Sequence, residues 1–149
     1  MRKKTNELDT ILSQMKADEL DEYYKDNSKE LLDSKKAFYY YMKDVIELKN
    51  IFLKDIYSYA GVTESWGSKI ITMEKHTKNR DLIIRLCIAG HFTLDEINRA
   101  LKLYGMSPLY SRNKRDVCLI VAINNRKYNL LEIDDILEGQ GFLKLSVES

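Results

Sequence analysis

An internal repeat constrains the fold of this chain more than any other feature. The segment that begins at Arg80-Asp81 matches the segment that begins at Arg115-Asp116, 35 residues later, and the match continues at an offset of 36 after one inserted residue. In each copy, apolar residues recur at helical spacing on both sides of a short break. The repeat therefore predicts two helical hairpins of the same design. The identical positions are 80/115, 81/116, 88/123, 94/130, 96/132, 97/133, 101/137, 105/141 and 109/145.

Both copies carry local signals that begin and end helices. Thr93 and Glu96 have the spacing of a capping box, and so do Asn129 and Glu132. A glycine follows the second helix of each copy, as expected of a C-terminal cap. The aspartate of each Arg-Asp pair falls in a first helical turn, where the helix macrodipole favours an anion. We therefore interpret the Arg-Asp pairs as structural and not as catalytic groups.

Composition agrees with an all-α chain. With six Gly and one Pro among 149 residues, turn-rich all-β and collagen-like folds are nearly excluded. The longest apolar run, 117–123, is much shorter than the roughly 20 residues that a membrane span needs. No apolar stretch follows the basic residues 2–4, so we expect neither a signal peptide nor a membrane segment. Cys87 and Cys118 form no CxxC motif, which suits a reducing cytoplasm.

The chain divides into three segments by pattern and charge. We expect an N-terminal helical segment over 1–47, a core over 48–110 and a C-terminal helical hairpin over 111–149, packed on the core. The residues from 48 to 112 carry a net charge of +4 between acidic flanks, which is weak evidence for a polyanionic partner of the middle segment. Helices are predicted from Asn6 to about Asp26, Ser28 to Lys49, Ile51 to Ala60, Thr63 to about Glu74, and from the Asn79 cap to about Ala89.

The sequence contains no motif of a common enzyme class. It has no glycine-rich phosphate loop, no GxSxG and no HExxH. His76 and His91 lie fifteen residues apart, and no cysteine, histidine or carboxylate stands at metal-ligand spacing from either. We therefore predict a protein that is not an enzyme, with no catalytic residues, no metal site and no cofactor.

The segment from Leu53 to Ile70 resembles the lambda-repressor/Cro-like (Xre-type) helix-turn-helix domain. Residues 60–63, Ala-Gly-Val-Thr, look like the Ala-Gly-Val-Ser turn of that family. Residues 65, 66, 68, 69 and 70 are Ser, Trp, Ser, Lys and Ile, where its recognition helix has Ser, Tyr, Ser, Arg or Lys, and Ile. More narrowly, the chain resembles proteins of Gram-positive bacteria that have an aromatic-Gly pair in this helix and a further Arg-Asp hairpin.

The chain departs from the family pattern at two neighbouring positions. Tyr57 stands where the second helix usually has a small alanine, and we expect it to widen the contact with the recognition helix. Gly67 stands where an apolar residue usually packs, at a cost of up to about 1 kcal/mol in helix propensity. Trp66 is interpreted as core or half-buried in preference to a base-stacking residue. Leu48 is one of the apolar residues expected to be available for burial.

The resemblance implies a five-helix core and a transcriptional regulator that reads double-stranded DNA with the helix at about 63–73. Dimerisation of two copies would present paired half-sites. The alternative is a non-enzymatic adaptor whose helix-turn-helix no longer binds DNA and which holds a protein partner through 1–47 or 111–149. The residues that the resemblance assigns to DNA binding are Thr63, Glu64, Ser65, Ser68, Lys69, Thr72, Lys75 and Lys78.

Overall fold

The computed structural model describes residues 36–146, and this part of the chain is helical without any strand, which confirms the predicted all-α class. The helix predicted between Asn6 and about Asp26, and the beginning of the one predicted from Ser28, lie outside the described residues. No helix in the range 36–146 has the length and apolar character to cross a membrane. The helices are α1 (Ala37–Lys49), α2 (Leu53–Ala60), α3 (Glu64–Ile71), α4 (Arg80–Ala89), α5 (Leu94–Tyr104), α6 (Lys114–Asn124) and α7 (Leu130–Gly139).

Side-chain caps begin five of these helices, and one of the two predicted capping boxes is complete. The N–H of Glu96 donates to Oγ1 of Thr93 at 3.3 Å, and the N–H of Thr93 donates back to Oε1 of Glu96 at 2.8 Å. Asn129 accepts from the N–H groups at the start of α7, but the carboxylate of Glu132 lies 3.7 Å from Nζ of Lys127 instead of turning back to the cap. The second box is therefore half formed.

Helix α4 lies at the centre of the core. Every residue from Leu82 to Ala89 is buried, and α4 packs on both α2 and α5. Helix α1 packs on α3 and α5, burying Phe38 and Met42 completely. The expectation of burial for Leu48 is wrong, since 77% of its surface is exposed. It lies off the buried stripe of α1, and the helix ends at the next residue.

The two Arg-Asp pairs of the repeat exchange partners. Arg80 donates from its two terminal nitrogens to the carboxylate of Asp116 at 2.9 and 3.0 Å. Arg115 donates in the same way to Asp81, at 3.0 and 2.9 Å. Both aspartates do lie in a first helical turn, as predicted. Bidentate arginine–carboxylate pairs combine charge with fixed geometry, so the start of each hairpin is bound to the start of the other.

Hydrogen bonds between side chains and the backbone repeat between the copies as well. Arg80 also donates to the carbonyls of residues 107 and 108, and Arg115 donates to those of residues 143 and 144, which are the equivalent positions. Asn98 Oδ1 accepts the N–H of residue 109 at 2.8 Å, and Asp134 Oδ1 accepts that of residue 145 at the same distance. Both hairpins thus fasten the segment that follows their second helix by the same means.

A buried arginine on α4 connects the end of α2 to the segment that follows the second hairpin. Arg85 on α4 is only 3% exposed, and its Nε donates to the carbonyl of Ala60 at 2.9 Å. Its Nη1 donates to the carbonyl of Leu145 at 2.8 Å. Burial lowers the pKa of this guanidinium, while the charges of Asp81 and Asp134 act in the opposite direction. Arg85 therefore ties the end of α2 and the end of the second hairpin to the same point of α4.

Candidate nucleic-acid interface

The turn between α2 and α3 has the local structure that the sequence predicts. Helix α2 ends at Gly61, which takes a left-handed φ of 75°, a conformation that glycine adopts without a steric penalty. The side chain of Thr63 then accepts the N–H of Trp66 at 3.1 Å and caps α3. The chain enters α3 with its first N–H groups at an exposed surface, since Thr63, Glu64 and Ser65 are all exposed.

Tyr57 and Gly67 form one packing unit between α2 and α3. A Cβ atom built on Gly67 would lie 2.7 Å from Cε1 of Tyr57, closer than real Cβ atoms approach another heavy atom, and 3.1 Å from Cγ of the same ring. The ring is nearly fully buried. Burial raises the pKa of Tyr57. The large residue on α2 therefore occupies the space that the glycine on α3 leaves open.

The outer surface of α3 carries side chains that perform no structural task. Ser65 and Lys69 lie one turn apart on the exposed side of the helix, and neither side chain is tied to another residue in the part of the chain that the structure describes. Trp66, next to Ser65, keeps 40% of its surface exposed, so it is not a core residue. Helix α3 ends at Ile71, two residues before the predicted end of the recognition helix at about Met73.

Two predicted contact residues face inward in part. Thr72 donates its hydroxyl to the carbonyl of Ser68 at 2.9 Å, and both side chains are half-buried. Both also line a groove of about 330 Å³ between α1, α2 and α3, together with Tyr39 and Lys43 of α1. The sequence did not single out Lys43, because nothing in the local pattern of α1 shows which helix it lies beside.

The loop after α3 returns toward the helix and is fastened to α5. The left-handed backbone of Met73, with φ of 67°, stops the helix, and the N–H of Lys75 donates to the carbonyl of Lys69 at 3.1 Å. His76 stacks on Tyr104 with ring centroids 4.5 Å apart. The hydroxyl of Tyr104 accepts the N–H of Thr77 at 2.8 Å. This loop therefore brings the backbone of Lys75 beside that of Lys69.

The charge of this surface is mixed, with a basic excess. Lys69, Lys75 and Lys78 are exposed, and so are Glu64 and Glu74. Glu64 stands in the first turn of α3, where the helix macrodipole stabilises it. The same position favours contact with a hydrogen-bond donor over contact with a phosphate. Lys49, a further basic residue at the end of α1, is paired with an acidic residue of α5, since its Nζ lies 3.0 Å from Oε1 of Glu96.

Between residues 36 and 146 no three histidine, cysteine or acidic side chains stand close enough to share a metal ion. Comparison with known proteins identifies no relative, because no family model, no curated protein and no solved structure matches the chain. The surface of α3 and the exposed faces of the remaining helices are therefore the features of the described chain that bear on function.

Proposed function

We propose that the protein is a DNA-binding regulator that inserts α3 into the major groove of duplex DNA. The observation that carries the proposal is the pair Ser65 and Lys69, exposed one turn apart on a helix whose opposite side is buried. Exposed polar side chains on a packed, well-capped helix are available to contact the edges of bases, and a helix of this size fits the major groove.

Each candidate residue has a distinct task in this proposal. Lys69 contacts guanine, and Ser65 contacts a neighbouring base edge. Glu64 accepts from the amino group of cytosine, which suits a carboxylate better than a phosphate does. Lys75 and Lys78 contact phosphates on the flank of the groove, and Thr63 directs the N-terminal end of α3 toward the backbone. Ser68 and Thr72 hold the shape of α3 and have a smaller share in direct contact.

The test is a fluorescence-anisotropy titration against duplexes from the region upstream of the gene, at two salt concentrations. We expect Lys69→Glu to weaken specific binding about 10- to 100-fold, the range for loss of one base contact. Lys102→Glu is the matched control, because Lys102 is an exposed lysine near the end of α5 and the change in net charge is the same. Binding should also weaken as salt rises, with a slope that counts the phosphate contacts.

Equal losses in the two variants would contradict the proposal, since they would reflect net charge and not a contact of α3. A wild-type chain that binds every duplex equally weakly would contradict it as well. That second result would favour the adaptor function instead.

One observation favours the adaptor as a second candidate. Leu48, Phe52 and Leu53 are exposed together where α1 passes into α2, with Glu47 and Asp55 beside them in the chain. Large apolar side chains grouped at a surface with acidic neighbours are typical of a protein-binding patch. Phe52→Ser should leave DNA binding unchanged under the first function and abolish partner binding under the second.

A further inference from the structure

The first hairpin of the repeat has one face covered by the helices that precede it in the chain. Tyr104, at the end of α5, packs against Phe38 of α1 with ring centroids 4.7 Å apart. Arg85 on α4 reaches the last carbonyl of α2. Leu82 and Leu86 share one side of α4, because they lie four residues apart, and both are at most 4% exposed.

The equivalent positions of the second hairpin are uncovered. Val117 and Val121 of α6 correspond to Leu82 and Leu86, and they are 39% and 50% exposed. Gln140 corresponds to Tyr104 and is exposed as well. A groove of about 540 Å³ runs along this side of the hairpin. We call this surface the open face, and its residues are Lys114, Val117, Cys118, Val121, Gln140 and Phe142.

Cys118 belongs to this surface. Its counterpart in the first hairpin is Ile83, which is fully buried. The structure leaves Cys118 partly exposed in the groove, because no helix of residues 36–146 lies over α6 where α1 and α2 lie over the first hairpin.

The apolar residues of the open face require no hydrogen-bond partner from the helix that covers them. On the first hairpin, the buried guanidinium of Arg85 requires a carbonyl from the covering helix. On the second hairpin the equivalent residue is Ile120. An occupant therefore needs an apolar stripe one or two turns long to cover the valines, and polar groups only for Lys114 and Gln140.

Charge distinguishes between the occupants that this shape would accept. Arg112 and Lys114 are exposed before and at the start of α6, and Arg126 is exposed just after its end. The groove itself is lined by no acidic residue of α7. If a second copy packed its own α6 antiparallel on this one, centred between Val117 and Val121, Arg112 would face Arg126 of the other copy. Like charges opposed in this way disfavour self-pairing.

We infer that the open face binds an amphipathic helix of a different protein, one with an apolar stripe and acidic residues at both of its ends. The helix takes the place on the second hairpin that α1 and α2 take on the first. The inference goes beyond the proposed DNA-binding function and is independent of it, because no residue of the open face belongs to α3.

The test uses the full chain and two synthetic helical peptides with the same leucine stripe, one flanked by glutamates and the other by lysines. Binding is followed by fluorescence anisotropy up to about 1 mM protein, the weak end of measurable affinity. We expect the glutamate-flanked peptide to bind at least 10-fold more tightly than the lysine-flanked one. Val121→Glu should weaken that binding at least 10-fold. Leu131→Glu is the matched control, because Leu131 is an exposed apolar residue of the same hairpin outside the open face.

Circular dichroism of both variants establishes that they are folded, so that a lost interaction reflects the surface. If neither peptide binds, or if the two bind equally tightly, the inference is overturned. Equal weakening by Val121→Glu and Leu131→Glu would overturn it too. A dimer in light scattering that Val121→Glu dissociates would show that the occupant is a second copy of the chain.

Discussion

The two hairpins share the same pattern of side-chain hydrogen bonds, but neighbouring helices cover the first hairpin more completely than the second. In both, an arginine pairs with the aspartate of the other copy and holds two carbonyls of the segment that follows the second helix of its own copy. Yet α4 is buried along nearly its whole length, while α6 leaves Val117 and Val121 exposed. The Arg-Asp pairs are thus retained by the repeat, whereas the residues at 82/117 and 86/121, which differ in how far they are covered, vary between the copies.

We expect substitutions at the equivalent positions 85 and 120 to differ most in their effect on the unfolding free energy. Arg85→Ala leaves the carbonyls of Ala60 and Leu145 buried without a donor, so we expect a loss of about 3 kcal/mol in unfolding free energy. Ile120→Ala removes a half-buried apolar side chain and should cost about 1 kcal/mol. Chemical denaturation of both variants measures the two values. Equal losses would show that the covered and open hairpins depend on this position alike.

The two Arg-Asp pairs should differ less in their contribution to the unfolding free energy. Asp116 is buried and accepts from Arg80 and from the N–H of Tyr110 at 2.9 Å, so Asp116→Asn should cost about 2 kcal/mol. Asp81 is more exposed and accepts from Arg115, so Asp81→Asn should cost about 1 kcal/mol. Thermal unfolding of the two variants compares them. A larger loss at Asp81 would reverse the order that burial predicts.

The same aspartate makes stability depend on pH. Burial by itself would raise the pKa of Asp116, but hydrogen bonds from Arg80 and Tyr110, with the charges of Arg80 and Arg115, hold it below the ordinary value of 3.8. Its stabilisation is therefore fully present above 3.8 and lost as pH falls through the lower folded value. Denaturation of the wild type and Asp116→Asn between pH 6 and pH 2 should show the difference between them shrinking toward the acid end. A constant difference would contradict this linkage.

The smallest losses of stability are expected at the glycines that follow the second helix of each copy, and these losses should be equal. Gly105 and Gly141 have φ of 88° and 82°, and a Cβ on either would meet no atom within 4 Å. Only the left-handed backbone then opposes a side chain, so Gly105→Ala and Gly141→Ala should each cost about 1 kcal/mol. Denaturation midpoints of the two variants test this equality. A marked inequality would mean that the second hairpin relaxes where the first cannot.

Within residues 36–146, local signals in the sequence predicted several helix caps correctly. Thr63 and Thr93 cap where their spacing predicts, and Gly61 ends α2, because caps and left-handed glycines depend on neighbours within a few residues. The end of α3 was misjudged, since Met73 takes a left-handed conformation that its residue type does not predict. The burial expected of Leu48 failed because apolar character alone does not show which side of α1 meets the core.

Contacts between distant segments could not be predicted in this way. The repeat placed Arg80 and Arg115 at equivalent positions, but nothing in either copy indicates that each arginine binds the other copy's aspartate. Burial of Arg85 depends on α2 and on residue 145 at once, and spacing along α4 carries no trace of either. On α3, the exposure of Ser65 and Lys69 followed the predicted helix, whereas the groove beside Ser68 and Thr72 required knowledge of α1.

The contact of the Tyr57 ring with Gly67 couples the two positions, so that neither can change alone without cost. A side chain at residue 67 would collide with the ring while Tyr57 is in place. A small residue at 57 beside an unchanged Gly67 would leave the space of the buried ring empty and keep the helix-propensity cost of glycine, about 1 kcal/mol. Residues 57 and 67 therefore tolerate a joint exchange better than either single one. A score that treats the two positions independently would count two differences where the packing makes one.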